Sequence, residues 1–208
     1  MKPEYWDEAC LHLAKRCKVM RGLIKAHPVA NLRSRGSTFS TLARAIVGQQ
    51  ISVKAAQSVW DRVIAAADAA GGMTPPALLN MSVAELRACG LSGSKIVYIH
   101  DLARHFNDKL VNPRRWPHMS DDEVINDLVR VKGIGRWSAE MFLIFYMMRP
   151  NVFPVDDIGV IRAIERHFHA GTRLSKAEIS AYRTRWAPWN TVASWYLWRS
   201  LEPVPVTY

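Results

Sequence analysis

The chain has 208 residues, of which 49% are hydrophobic and 22% charged. That composition excludes a disordered polypeptide and supplies enough apolar mass for a packed core. A formal net charge of +10 favours a polyanionic partner, nucleic acid or an acidic membrane surface, without choosing between them.

Along the chain the periodicity is helical. Met1 to Arg16 mixes charged and apolar residues and has no signal-peptide core. Phe39, Leu42 and Ile46 share one helix face, as do Ala56, Trp60, Val63 and Ile64. Ser82 with Glu85 forms a capping box, and Ile96, Ile99, Ala103 and Phe106 repeat the helical period. A second capping box, Ser120 with Glu123, opens a helix expected to run to about Arg130. Met141, Ile144, Phe145 and Met148 mark the next helix. The apolar run from Met141 to Met148 is far shorter than the about 20 residues a membrane span needs. Ser175 with Glu178 is a third capping box, and Pro203 and Pro205 should end the last helix. Breakers lie between these segments at Gly71-Gly72, Pro75-Pro76, Asn112-Pro113, Pro117, Pro150 and Pro154. The expectation is an all-α fold of roughly ten short helices, with no alternating stretch that reads as a strand.

Cys10, Cys17 and Cys89 are odd in number and widely spaced. They form neither a disulfide framework nor a Cys/His metal cluster, so no metal held by side chains is expected. Their pattern favours a reducing, intracellular compartment.

Two stretches carry chemistry. In Val131-Lys-Gly-Ile-Gly-Arg-Trp137, two glycines flank an apolar residue between helices. Glycine tolerates φ > 0 and close backbone approach, so such a turn can present N–H groups at a helix start to an anion. Lys132 and Arg136 bracket it with positive charge. The resulting reading is a clamp on a DNA phosphate by Lys132, Gly133, Ile134, Gly135 and Arg136. The alternative is an ordinary helix–helix turn with a C-cap glycine. About twenty residues on comes Phe153-Pro-Val-Asp-Asp157-Ile-Gly, where two carboxylates precede a helix. Plain capping is the alternative for both.

In that order, the hairpin, an apolar helix and Phe-Pro-Val-Asp-Asp resemble the signature of the helix-hairpin-helix DNA glycosylases. Within that superfamily the chain is most similar to the 3-methyladenine DNA glycosylase II family. Residues 38–51 resemble the family's N-terminal helix. Trp186-Ala-Pro-Trp189 with Trp195 and Trp198 resembles its C-terminal helix region. The resemblance implies two helical lobes with the active site in the cleft between them. Residues 38–149 would form the central lobe, with the helix-hairpin-helix at about 120–148. Residues 1–37 plus 150–208 would form the lobe carrying the catalytic carboxylate. By the motif's spacing that carboxylate is Asp157, with Asp156 as the helix cap. Trp137 would stack on the base, Trp198 would add a second pocket aromatic, and Met141 would border a more open side. Trp186, Trp189 and Trp195 are expected in the core. Gln50 matches the wedge position that fills the gap left by a flipped base, with Ile51 and Ser52 beside it in the minor groove. Ser92, Gly93 and Lys95 resemble a second loop that touches DNA backbone, Ser92 reading equally as a helix cap.

Bifunctional relatives carry a nucleophilic Lys after the Gly-x-Gly-Arg of the hairpin. Here Trp137 stands there, so the resemblance implies a monofunctional enzyme that uses water and leaves an abasic site. No cysteine follows Cys89, which excludes the C-terminal iron–sulfur loop of other relatives. Relatives also imply a monovalent cation at the hairpin carbonyls. The expected substrate is double-stranded DNA containing alkylated purines such as 3-methyladenine and 7-methylguanine, bound by a monomer in the cytoplasm or nucleoid of a bacterium or the nucleus of a eukaryote. The alternatives are a glycosylase for deaminated, etheno or mismatched bases, and a non-catalytic DNA-binding protein. A membrane-surface protein would need a basic amphipathic helix that the chain lacks.

Overall fold

The structure is a computed structural model that describes residues 2–28, 32 and 36–201. Pro203 and Pro205 lie outside the described residues. Among the described residues the chain forms twelve α-helices, one 3-10 turn at Trp116–His118 and no strand. None of these helices is long and apolar enough to cross a membrane.

The chain divides into two compact units, 1–34 with 143–208, and 35–142. The division falls inside the helix Arg136–Phe145. The terminal unit contains α1 (Trp6–Arg16), α2 (Lys18–Ala26), α10 (Ile158–Phe168), α11 (Lys176–Trp186) and α12 (Asn190–Arg199). The central unit contains α3 (Thr38–Gly48), α4 (Val53–Ala69), α5 (Pro75–Asn80), α6 (Val83–Ala88), α7 (Gly93–Asn107) and α8 (Asp121–Leu128). Helix α9 (Arg136–Phe145) begins in the central unit and ends in the terminal one.

The three expected capping boxes are present, with Ser82, Ser120 and Ser175 each accepting the N3 backbone N–H and receiving a glutamate on their own N–H. Such caps contribute ~1 kcal/mol each by satisfying donors a helix start leaves unpaired. A fourth box, Ser37 with Ser40, opens α3. The helices outnumber the expected ten because short pieces are cut apart by local caps. Cys17, extended and capping α2 with its sulfur, breaks α1 from α2.

Within the central unit α7 packs against α3, α5 and α6, burying Ile96, Ile99, Leu102 and Ala103. Phe39, Phe106, Trp116 and Phe142 run edge to face through this core. Within the terminal unit α12 is buried on every side from Asn190 to Leu197, as a helix packed by α1, α2, α10 and α11 must be. Trp186 and Trp195 lie in that core as expected. Trp189 is half-buried at the start of α12 and stacks on Tyr5.

Candidate functional site

In the terminal unit the loop before α10 is templated by the start of α12. The Thr191 hydroxyl donates to the Arg149 carbonyl and accepts the Val152 N–H at 3.1 Å, while the Thr191 N–H donates to the Pro150 carbonyl at 3.0 Å. The Asn190 amide donates to Asn151 Oδ1 at 2.6 Å. Both side chains are fully buried, so this frame is shielded from competing water. The loop then turns through an Asp157 N–H to Pro154 carbonyl bond of 3.0 Å and delivers Asp157 to the N-terminus of α10.

Asp157 itself is the N-cap, and the expectation that Asp156 caps α10 is corrected. The helix starts at Ile158, and the cap is the non-helical residue immediately before it. Asp157 Oδ1 accepts the Val160 N–H at 2.8 Å and the Trp198 indole N–H at 2.7 Å. Asp156 points to solvent and pairs with Lys176 at 2.6 Å. The carboxylate is 8% exposed, buried yet satisfied by neutral donors and the positive end of a helix dipole. Trp198 stacks on Phe145, with centroids 5.6 Å apart and planes at 23°. One face of its ring is thus covered, and its indole edge orients the carboxylate, a role the sequence reading did not assign. Gly159 makes this approach feasible, because a Cβ there would lie 2.8 Å from the Trp198 ring and 3.1 Å from Asp157 Oδ1. A glycine two residues past the acidic cap, where it weakens a helix, was the sequence signal available for that contact. Nothing in the local pattern singled out Thr191.

The central unit holds the hairpin and the loop carrying Gln50. Gly133 has φ +84°, and a Cβ there would lie 2.3 Å from the Tyr98 ring, so this position requires glycine on two grounds. Gly135 differs, with no described atom within 4 Å of a Cβ built on it. The Lys132 N–H donates to Asp101 Oδ2 at 2.8 Å and the Ile134 N–H to the Val131 carbonyl at 3.1 Å. Of the amides of the turn, these two therefore serve the protein itself. Ile134 is buried, and Lys132 presents its side chain to solvent. Arg136, its side chain about half exposed, pairs with Asp122 at 3.0 Å and with the buried Glu140 at 3.1 Å. Trp137 is 39% exposed on the first turn of α9. Met141, expected at the border of a base pocket, is buried and reads as core one turn deeper on the helix.

Gln50 is exposed and left-handed at φ +57°, a conformation uncommon for a residue with a Cβ. Ile51 beside it is also exposed, and Ser52 caps α4 by accepting the Ala55 N–H at 3.2 Å. In the second loop Ser92 caps α7 and Gly93 is exposed. Lys95 departs from expectation: its ammonium donates to the Val47 carbonyl at 2.7 Å, drawn in by the negative end of α3. Burial holds its pKa below the ordinary lysine value.

An all-helical chain with a glycine hairpin and a buried, helix-capping aspartate some twenty residues later has the organisation of a helix-hairpin-helix DNA repair protein. A family model of the HhH-GPD superfamily base excision DNA repair proteins matches residues 43–189, and the chain belongs to that superfamily. It is 32% identical over 200 residues to the DNA-3-methyladenine glycosylase 1 of Schizosaccharomyces pombe, covering 93% of this chain and 86% of that protein. A Bacillus subtilis relative, YfjP, is 30% identical over 80% of this chain, which spans 60% of that protein's length. The fold is similar to the solved structure of the Schizosaccharomyces pombe 3-methyladenine DNA glycosylase in complex with abasic DNA, with a TM-score of 0.81 and 30% identity over 97% of this chain and 100% of that one.

Proposed function

We propose that this chain is a monofunctional DNA glycosylase of base excision repair that flips alkylated purines out of double-stranded DNA and hydrolyses their N-glycosidic bond, with Asp157 as the catalytic carboxylate. The observation that carries this reading is the buried Asp157 carboxylate, one oxygen of which is held by a helix amide and an indole N–H. The Val160 amide and the Trp198 indole fix the direction of this oxygen.

The chemistry follows from charge. As the C1′–N bond breaks, its electron pair passes to the base and positive charge develops on the deoxyribose. A fixed carboxylate in a site of low dielectric stabilises that charge. An N-methylated purine is already cationic, so it leaves neutral and needs no strong general acid. Water adds to C1′ and loses its proton to Asp157 or to solvent, leaving an abasic site. Trp137 replaces the amine a lyase would use. Trp137, partly exposed, would stack on a cationic ring, worth about 0.5–2 kcal/mol over a neutral one. The start of α9 with Lys132 grips a phosphate, and Gln50, flanked by Ile51 and Ser52, fills the hole left by the flipped base. Ser92 and Gly93, at the start of α7, touch a second stretch of backbone.

A monovalent cation at the hairpin carbonyls also belongs to this reading. The carbonyls of Val131 and Gly133 accept the Ile134 N–H and the Gln49 amide, and each oxygen keeps a second lone pair suited to a hard cation. The cation would add positive charge at the turn. An intracellular setting, where genomic DNA is found, completes the proposal.

The test is release of free methylated bases from randomly N-methylated duplex DNA by the protein and by Asp157→Asn, which keeps a competent helix cap. The expected outcome is release of 3-methyladenine by the wild type and a loss of about three orders of magnitude in a variant that still binds abasic DNA. A folded, DNA-binding wild type that releases no methylated base overturns the alkylated-base assignment.

A further inference from the structure

Helix α7 touches both DNA-facing features of the central unit through residues three apart on one face. Lys95 donates to the Val47 carbonyl at the end of α3, where the loop carrying Gln50 begins. Tyr98 lies flat beneath Gly133, so close that no Cβ fits between them. The buried carboxylate of Asp101 takes the Lys132 N–H and is itself flanked by His105 Nδ1 at 3.3 Å. Spacings of three keep these side chains on adjacent turns of one helix surface. Gln49 then closes the gap directly, its Nε2 donating 2.8 Å to the Gly133 carbonyl, while its backbone forms the C-cap of α3 next to the strained Gln50.

We propose that Gln49 is a positioning residue that locks the Gln50 loop to the glycine hairpin, with the Lys95–Tyr98–Asp101 face of α7 as their common base. Wedge and phosphate clamp therefore engage DNA as one rigid body. Gripping the phosphate places Gln50 in the stack without a further ordering cost, and the left-handed Gln50 backbone is held from both sides. The inference rests on the reading of Gln50 as wedge and of the hairpin as phosphate clamp.

The test uses the full chain and single-turnover release of 3-methyladenine. Gln49→Met keeps the side-chain length and removes the donor. Its expected loss on duplex DNA is about five-fold, the size of one hydrogen bond. Gln49→Glu sets a carboxylate against the Gly133 carbonyl and should lose more. Because Gln49 acts through Gln50, the double variant Gln49→Met with Gln50→Ala should be no slower than Gln50→Ala alone. On a lesion placed opposite an abasic site, where no stacked partner resists extrusion, the Gln49→Met loss should shrink. Additive losses, or an equal loss on both substrates, overturn the coupling while leaving the glycosylase reading intact. A Gln50→Ala variant as fast as wild type on duplex DNA removes the wedge and the coupling together. A folded wild type that releases no 3-methyladenine overturns the alkylated-base assignment on which the inference rests.

Discussion

The Asp157 turn of the terminal unit and the hairpin of the central unit both lead into the N-terminus of a helix, one preceded by an aspartate and the other by a glycine. At α10 the terminus is capped from within: Asp157 is buried, and its Oδ1 takes both the Val160 amide and the Trp198 indole. At α9 the residue before the helix is Gly135, and no described atom lies within 4 Å of a Cβ built on it. On the proposed reading the buried anion of Asp157 meets a developing cation, whereas the hairpin meets a polyanion while Asp101 holds the turn through the Lys132 N–H. A helix start therefore does not define a function, and the residue before it does.

That contrast can be broken first at the glycines. Gly133→Ala forces a Cβ into the Tyr98 ring at a left-handed φ, and denaturant unfolding should show a loss of about 2 kcal/mol or more. Gly135→Ala should leave the unfolding midpoint nearly unchanged and weaken abasic-DNA binding, because its methyl projects into open space where a phosphate would lie. Equal destabilisation by both would undo the distinction between a packed and a presented glycine.

Next comes Trp198→Phe, which keeps the stack on Phe145 and removes the donor to Asp157. Base release should fall about ten-fold, the worth of a hydrogen bond to a charged group, with affinity for abasic DNA preserved. A matching loss of binding would return Trp198 to a base-stacking role. A smaller effect is expected for Lys132→Ala, whose side chain is exposed. The slope of log affinity against log salt should drop by about one, with little dependence on sequence. Arg136→Ala tests the converse: with its guanidinium tied to Asp122 and Glu140, it should cost stability more than it changes the salt slope.

The smallest effect is expected at His167, whose Nε2 lies 2.8 Å from the Ser200 hydroxyl. Burial first, and Arg166 second, hold the His167 imidazole below its ordinary pKa of 6.5. A depressed folded-state pKa favours the neutral ring, so the associated stability is present above pH 6.5 and is lost as pH falls through the lower folded value. The unfolding midpoint should decline slightly over that window, and His167→Gln should flatten the decline.

Local patterns carried most of the architecture, because capping and helical periodicity act over three or four residues. Ser82, Ser120 and Ser175 with their glutamates, the hairpin glycines and the acidic turn were all readable in one dimension. Side-chain commitments were not. Arg136 by its charge, and Lys95 and Met141 by the family resemblance, are candidate site residues, but the sequence does not show that Arg136 pairs with Asp122, that Lys95 reaches the Val47 carbonyl or that Met141 is buried. Asp156 and Asp157 are interchangeable as a dipeptide, and the start of α10 at Ile158 decides which one caps.

What the sequence alone determined is therefore the helical class, the family resemblance and the two motifs that carry it. Tertiary structure decided which atoms those motifs present. Thr191 reaches Arg149, Trp198 reaches Asp157 and Gln49 reaches Gly133 across dozens of residues. The physical reason is range: a hydrogen bond is satisfied by proximity in space, and only the packed fold brings distant donors and acceptors within 3 Å of one another.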